Sequence, residues 1–312
     1  MNKSILLFSV GFIPAYLALG HYLIPGLILL ISVLIYYIYK LRKNIRLYTD
    51  KISRQKHETD KYLIEGVFYA QGLQQSLLPH ENTIREAVRD CFILNMPKDL
   101  VSGDFYWFRD FGGFFIIAAI DCTGHGIAGG FMSMIGSTLL NRIIIEKNIY
   151  DPAKILDYLD RSISDMLGRK SDESGLDFGM ELSICKVNRE LKNLEFAGAH
   201  RPLAYISGGF LNELKGTARA VGGRHRKSEA KEFENRVVSL QDVTSIYLFT
   251  DGLPDQNNAQ SKKFGKRRLY NVLENYTNLS MTEQKYKIIS DLNSFRKNQM
   301  QRDDILLIGL KL

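Results

Sequence analysis

The chain is poor in the residues that staple small extracellular domains. It has three cysteines, Cys91, Cys122 and Cys185, among 312 residues. They are odd in number, widely spaced and form no Cys-x-x-Cys pair. That argues against a disulfide framework and a thiolate zinc site, and favours a reducing compartment. No GxxxxGK[ST] sequence is present, so nucleotide binding would rest on the short stretch Gly124-His125-Gly126 alone, a weak signal. Internal repeats and low-complexity tracts are also absent. With 45% apolar and 24% charged residues, the composition excludes a disordered or collagen-like chain and suffices for one large domain or two ordinary ones. The most telling absence is local. Residues 4–39 contain no Asp, Glu, Lys or Arg, and His21 is their only ionisable side chain.

The net charge of +7 is equally local. Between Lys40 and Lys61 there are eight Lys/Arg and three Asp/Glu, whereas residues 62–312 are close to neutral. A basic collar beside an uncharged run fits a membrane surface; no nucleic-acid partner is expected. A hydrocarbon-spanning helix needs about 20 apolar residues. The uncharged run is too long for one such crossing and just enough for two short ones, with breaks at Pro14, Gly20, Pro25 and Gly26. The reading is a hairpin with spans near Ile5–Leu19 and Tyr22–Tyr39 and a turn at Gly20–His21. Lys3 before the run, and Lys40, Arg42, Lys43 and Arg46 after it, place both ends on the cytoplasmic side. A cleaved signal peptide ending at Ala18-Leu19-Gly20 competes with this reading and would leave one span, with the collar still inside.

From Leu41 to Leu78 the chain reads as a linker helix stopped by Pro79. Leu41, Ile45, Tyr48 and Ile52 make a heptad seam that predicts pairing with a second copy, interrupted by the polar Ser53–Lys61. A solvated spacer helix is the alternative. The expected divisions are therefore 1–40 (membrane hairpin), 41–79 (linker helix) and 80–312 (soluble domain). In the last, apolar runs predict strands at Phe114–Ile120, Leu182–Val187, Leu194–Ala199, Ile246–Phe249 and Ile305–Leu310. Helical patterns cover Ile127–Glu146, Pro152–Leu167, Lys266–Tyr276 and Thr282–Arg296, with Asp151 capping the second. Strands arriving singly and in pairs indicate an α+β layered domain. Gly216–Lys231 is basic and polar, and reads as an exposed loop.

Aspartates stand out beside such segments: Asp104 in Ser102-Gly103-Asp104-Phe105-Tyr106, Asp121 and Asp251 after apolar runs, and the pair Asp303 and Asp304 before the last one. Each alone is ordinary turn chemistry. Together they can converge on one edge of a layered sheet, where unneutralised carboxylates are costly. Oxygen ligands of this kind suit Mg²⁺ or Mn²⁺, not zinc. Two such ions about 3.5–4 Å apart would activate water and clamp a phosphoryl group for in-line displacement.

The segments SGDFYWF, AAIDCTGHGIAGGFMSMIGSTLLN, LEFAGAHRPL, IYLFTDGLPDQ and DDILLIGL follow one another in the order of the PPM metal-dependent Ser/Thr protein phosphatases. The chain resembles their bacterial SpoIIE/RsbU-type branch from about Leu73 to Leu312. The resemblance implies an αββα sandwich of two antiparallel sheets flanked by helices, here preceded by the linker helix and two short transmembrane helices. It also implies a pair of Mn²⁺ or Mg²⁺ ions. Asp104 and Asp121 would be the catalytic ligands nearest the activated water; the backbone carbonyl of Cys122, Asp251 and Asp303 would complete the set. Asp304 is the runner-up to Asp303, because adjacent residues of an extended segment point opposite ways. The implied reaction is hydrolysis of phosphoserine or phosphothreonine on a cytoplasmic signalling protein, for example a STAS-type anti-sigma antagonist, at a bacterial cytoplasmic membrane.

Other residues stay open. His125 is either an acid to the leaving group or part of a glycine turn. His200 and Arg201 either approach substrate or merely turn the chain after a strand. Lys98 either meets phosphate or is solvated. Leu306 and Ala220-Val221-Gly222-Gly223 depart from the branch's usual residues. Met132, Met134, Leu139, Leu140, Ile143 and Ile144 read as core. The resemblance implies that a helical element near the site controls metal recruitment, which suggests that the membrane hairpin and the helix over 41–78 bias its position. The competing function is a catalytically inactive pseudophosphatase, a membrane-tethered module that binds a partner. The filled acidic positions argue against it.

Overall fold

A computed structural model describes residues 4–168, 178–222 and 231–312, with backbone alone for residues 4–22. It divides into two compact units, Met1–Glu65 and Gly66–Leu312. Helix α1 runs unbroken over Ser4–Leu77. The expected hairpin is therefore corrected: there is no turn at Gly20–His21, and one helix replaces two spans and a linker. Proline in a helix removes a single backbone hydrogen bond, and such a gap is tolerated in apolar helices when neighbouring turns hold. Nothing between Pro14 and Gly26 is obliged to leave the helical region. From Leu23 to Tyr39 every side chain is exposed, including Leu27, Leu30 and Ile35. The helix stops at Leu77, as Pro79 requires.

The second unit has four layers. After the short helix α2 (Glu81–Ala87), strands β1 (Asp90–Met96), β2 (Asp104–Asp110) and β3 (Phe114–Cys122) lead to α3 (Gly126–Asn141) and α4 (Pro152–Ile163). Strands β4 (Gly179–Asn188), β5 (Asn193–Ala199), β6 (Leu203–Ser207), β7 (Phe210–Leu214), β8 (Val221–Gly222), β9 (Arg236–Ser239) and β10 (Val243–Phe249) follow. Helices α5 (Lys266–Asn275) and α6 (Met281–Arg296) precede the last strand, β11 (Ile305–Lys311). One sheet has the order β1-β11-β10-β6-β7; the other is β2-β3-β4-β5-β9, with β8 paired to β4. All of these pairings are antiparallel.

Strand β3 explains the stacking. Phe115, Ile117 and Ala119 point into the core between the sheets, while Ile116, Ala118 and Ile120 point to the core under α3 and α4. Both faces are covered, so the strand is apolar throughout and not alternating. The other sheet is covered by α5 and α6, whose Leu269, Leu273, Ile288 and Leu292 pack on Tyr247, Phe249 and Leu307. Helix α4 begins as its sequence predicts: the Asp151 side chain accepts from the Lys154 amide at 2.9 Å, with Pro152 at the first position. The expected helices continue beyond α3 and α4 as single π turns, Arg142–Glu146 and Ser164–Gly168. The Gly216–Lys231 loop is partly corrected, since Val221 is fully buried in β8. Its residues 223–230 lie outside the described residues.

Candidate functional site

Antiparallel register sets three acids in a row. Asp104, first residue of β2, lies opposite Asp121 near the end of β3, and Asp121 lies opposite Glu181 on β4. Residues paired directly across strands share a face. From the other sheet, Asp251 follows β10, and Asp303 and Asp304 precede β11, the neighbour of β10. One mouth of the sandwich thus gathers carboxylates from both sheets. Asp121, Glu181 and Asp251 each offer an oxygen within 4.8 Å of the others.

Asp104 is buried, and its Oδ2 accepts a 2.6 Å hydrogen bond from the Thr250 hydroxyl. Thr250 is in turn fixed by the Leu306 amide, which donates to its Oγ1 at 3.0 Å. Burial first, and then the charge of Asp121, hold the Asp104 carboxyl well above the usual carboxylate range, against the Thr250 bond. Asp121 is pushed up to about 7, chiefly by burial, with Arg201 opposing and Asp251 and Glu181 adding to the rise.

The two adjacent aspartates divide as extended geometry requires. Asp304 is buried and spends both oxygens on backbone amides, those of Lys98 and Gly103, each at 2.7 Å. It braces the loop leading into Asp104. Asp303 is exposed, accepts the Asp304 amide through Oδ1 and Gln301 Nε2 through its carbonyl, and contributes to the field at Asp121. A Cβ on Gly103 would lie 2.6 Å from the Gly124 carbonyl and 3.1 Å from that of Cys122, so only glycine lets these backbones meet. The Cys122 thiol is buried, its pKa raised by burial.

His125 Nδ1 lies 2.8 Å from Asp99 Oδ2, both side chains about half exposed. His200 has φ 58° and donates its amide to the Thr217 carbonyl; it is a turn residue. Arg201 is not. Its Nη2 reaches Asp121 Oδ2 at 2.5 Å, Asp251 Oδ2 at 2.8 Å and Glu181 Oε2 at 2.9 Å. Sequence reasoning missed Glu181 and Thr250 and left Arg201 undecided. Thr250 carried a signal, lying beside Asp251 in IYLFTDG. Glu181 carried none, because its place depends on the register of β3 with β4.

Gln74, near the end of α1, is buried. Its Nε2 donates to the Ser102 carbonyl and the Ser133 hydroxyl, and its Oε1 accepts the Ser102 amide. It ties α1 to the Asp104 loop and to α3 at once. A cavity of about 880 Å³ lies at the other end of the sandwich and is lined by none of these acids.

Asp121, Glu181 and Asp251 share the Arg201 guanidinium, while Asp104 and Asp303 are close enough to Asp121 to interact with its charge. All donors are hard oxygens, the set that Mn²⁺ or Mg²⁺ takes. The residues present fit such ions.

Known proteins agree with this geometry. A search of curated sequences found no match. Among solved structures, the SiaA-PP2C domain of Pseudomonas aeruginosa is similar, with 30% identity and TM-score 0.73 over 81% of this chain and 98% of that one. The PP2C phosphatase domain with a regulatory fragment of SpoIIE from Bacillus subtilis shares the fold at 15% identity and TM-score 0.56, over 72% of this chain and 63% of that one. So do the RsbU and RsbW domains of a Mycobacterium tuberculosis protein, at 16% identity and TM-score 0.55, over 71% and 59%. The family profile of Stage II sporulation protein E (SpoIIE) matches residues 112–312. The two-sheet sandwich is therefore that of a PP2C-type phosphatase domain, and the chain belongs to the SpoIIE family.

Proposed function

We propose that the protein is a membrane-anchored, metal-dependent protein serine/threonine phosphatase that hydrolyses phosphoserine or phosphothreonine on a cytoplasmic signalling protein. The observation that carries this reading is the convergence of Asp104, Asp121, Glu181 and Asp251 at one mouth of a SpoIIE-family sandwich. Two Mn²⁺ or Mg²⁺ ions bound there would supply an acidified water for in-line attack on phosphorus and would neutralise the phosphoryl charge. Asp104, Asp121, the Cys122 carbonyl, Asp251 and Asp303 are the residues that would hold them, with Glu181 alongside. Thr250 orients Asp104 and favours its ionised form, the form able to ligate. Asp304 keeps the Lys98–Gly103 loop in register without spending a site oxygen.

Gln74 makes α1 a lever on this site, since it holds the Asp104 loop and α3 together. The uncharged stretch of α1 supplies the anchor in a bacterial cytoplasmic membrane, with the basic collar on the cytoplasmic side. The seam Leu41, Ile45, Tyr48 and Ile52 is exposed along α1, which supports pairing of two copies. A STAS-type antagonist is the substrate class that the family resemblance suggests.

The test is an assay of the detergent-solubilised chain on a phosphoserine peptide and p-nitrophenyl phosphate, with Mn²⁺, Mg²⁺ or EDTA, beside Asp121→Asn. Turnover that needs Mn²⁺ and falls by roughly two orders of magnitude or more in the variant is expected. No turnover with any metal, together with no calorimetric Mn²⁺ binding, would overturn the reading in favour of a partner-binding pseudophosphatase.

A further inference from the structure

The side chain of Arg201 lies where a divalent ion would share the acids. Its backbone has no freedom to choose. His200 turns the chain in the left-handed region, the Arg201 amide donates to the Ala199 carbonyl at 2.7 Å, and the Arg201 carbonyl crowds two glycines. A Cβ on Gly198 or Gly216 would come within 2.2 or 2.6 Å of that carbonyl oxygen. The turn therefore aims the side chain at the mouth of the sandwich.

How the guanidinium is used is informative. A structural arginine normally spends its fork in parallel, bidentate bonds to one carboxylate. Here one nitrogen, Nη2, serves Asp121, Glu181 and Asp251 together, while Nε is buried with no partner. The group acts as a point charge placed among three oxygens, which is also how those oxygens would use a hard cation. Its side chain is 12% exposed, whereas those of Glu181 and Asp251 are 37% and 42% exposed, so solvent and ions reach the cluster past it.

We infer that Arg201 is the resident counter-cation of the metal-free site, holding Asp121, Glu181 and Asp251 in place and competing with the divalent ion for them. The inference rests on the metal-site reading above. It assigns to Arg201 a role in setting metal affinity, distinct from touching substrate. Without a cation the clustered carboxylates repel one another and the fold is strained at this mouth. With Arg201 present the empty site is tolerated, and each metal ion must displace a charge already in place. Metal then binds more weakly than the carboxylates alone would allow, and occupancy becomes sensitive to anything that moves the β5–β6 turn.

The experiment is titration calorimetry of the full chain in detergent with Mn²⁺ at pH 8, for wild type, Arg201→Gln and Arg201→Lys, with thermal melts in EDTA and in saturating Mn²⁺. Arg201→Gln is expected to bind Mn²⁺ about tenfold or more tightly, to melt lower than wild type in EDTA, and to gain more from Mn²⁺. Arg201→Lys keeps the charge on a shorter reach and is expected to fall between them. Equal or weaker Mn²⁺ binding by both variants, while wild type binds, would overturn the counter-cation role and leave the metal site standing. No Mn²⁺ binding by any of the three would overturn the metal-site reading itself, and the inference with it.

Discussion

A proton is the first obstacle to a metal at Asp121. Burial and the neighbouring acids push its carboxyl up to about 7, and Asp104 is raised as well. A carboxyl raised in the folded state stabilises the fold below its unfolded value, and that contribution is lost as pH rises through the folded value. Metal-free protein should therefore melt lower at pH 8 than at pH 5. Metal binding has the opposite preference, since the ion needs the ionised carboxylates and must release their protons. Apparent Mn²⁺ affinity is expected to fall on going from pH 8 to pH 6, by up to roughly tenfold per pH unit for each proton released. Calorimetry in two buffers of different ionisation enthalpy would count those protons. A pH-independent affinity across this range would contradict the shift at Asp121.

Glycine separates two kinds of contact at the scale of helices. In α3, a Cβ on Gly129 would lie 2.4 Å from the Gly124 carbonyl and 2.8 Å from Gly103 Cα, both backbone atoms unable to step aside. In α1, Gly72 has nothing within 4 Å. Helix propensity alone favours alanine at both, by about 0.5–1 kcal/mol. Gly72→Ala should thus raise stability by about that amount. Gly129→Ala should instead cost about 1–3 kcal/mol through overpacking, and should weaken Mn²⁺ binding because the displaced backbone carries Asp104. Melts and calorimetry of the two variants check both signs; a neutral Gly129→Ala would mean that α3 is free to move off the loop. The elements themselves were unequally legible. Strands β3 and β11 read as apolar runs because both faces are buried, and Asp121, Asp251 and Asp303 stood out as candidates because they border such runs, whereas Asp104 was named through its motif SGDFYWF. The hairpin of β6 and β7 was overlooked although Gly208 and Gly209, both at positive φ, sit between two apolar runs as a hairpin turn would. Glu181 could not be found this way, because its place depends on strand register, and Arg201 stayed undecided because its place depends on the reach of a turn.

Across the whole chain, α1 is uneven in composition, with an uncharged stretch over residues 4–39 followed by a basic collar from Lys40. Every side chain from Leu23 to Tyr39 is exposed on the helix, among them Leu27, Leu30, Leu34 and Ile35. Contiguous apolar surface of that extent is far beyond the patches that soluble monomers leave uncovered. The stretch Gly126–Glu146, α3 with its π turn, is also apolar and long enough to cross a bilayer, yet its Met132, Leu139 and Leu140 are already buried in the core under the β2–β3 sheet. Hydropathy alone cannot separate the two helices; burial does. Under the anchor proposed above, the apolar side chains of this stretch would face lipid and the collar from Lys40 onwards would mark its cytoplasmic end. The expressed chain is expected to sediment with membranes and to resist carbonate extraction at high pH. A chain lacking residues 4–39 should move to the soluble fraction and keep its Mn²⁺ binding, because every acid of the site lies in the Gly66–Leu312 unit. A full chain found soluble without detergent would refute the anchor while leaving the site's chemistry untouched.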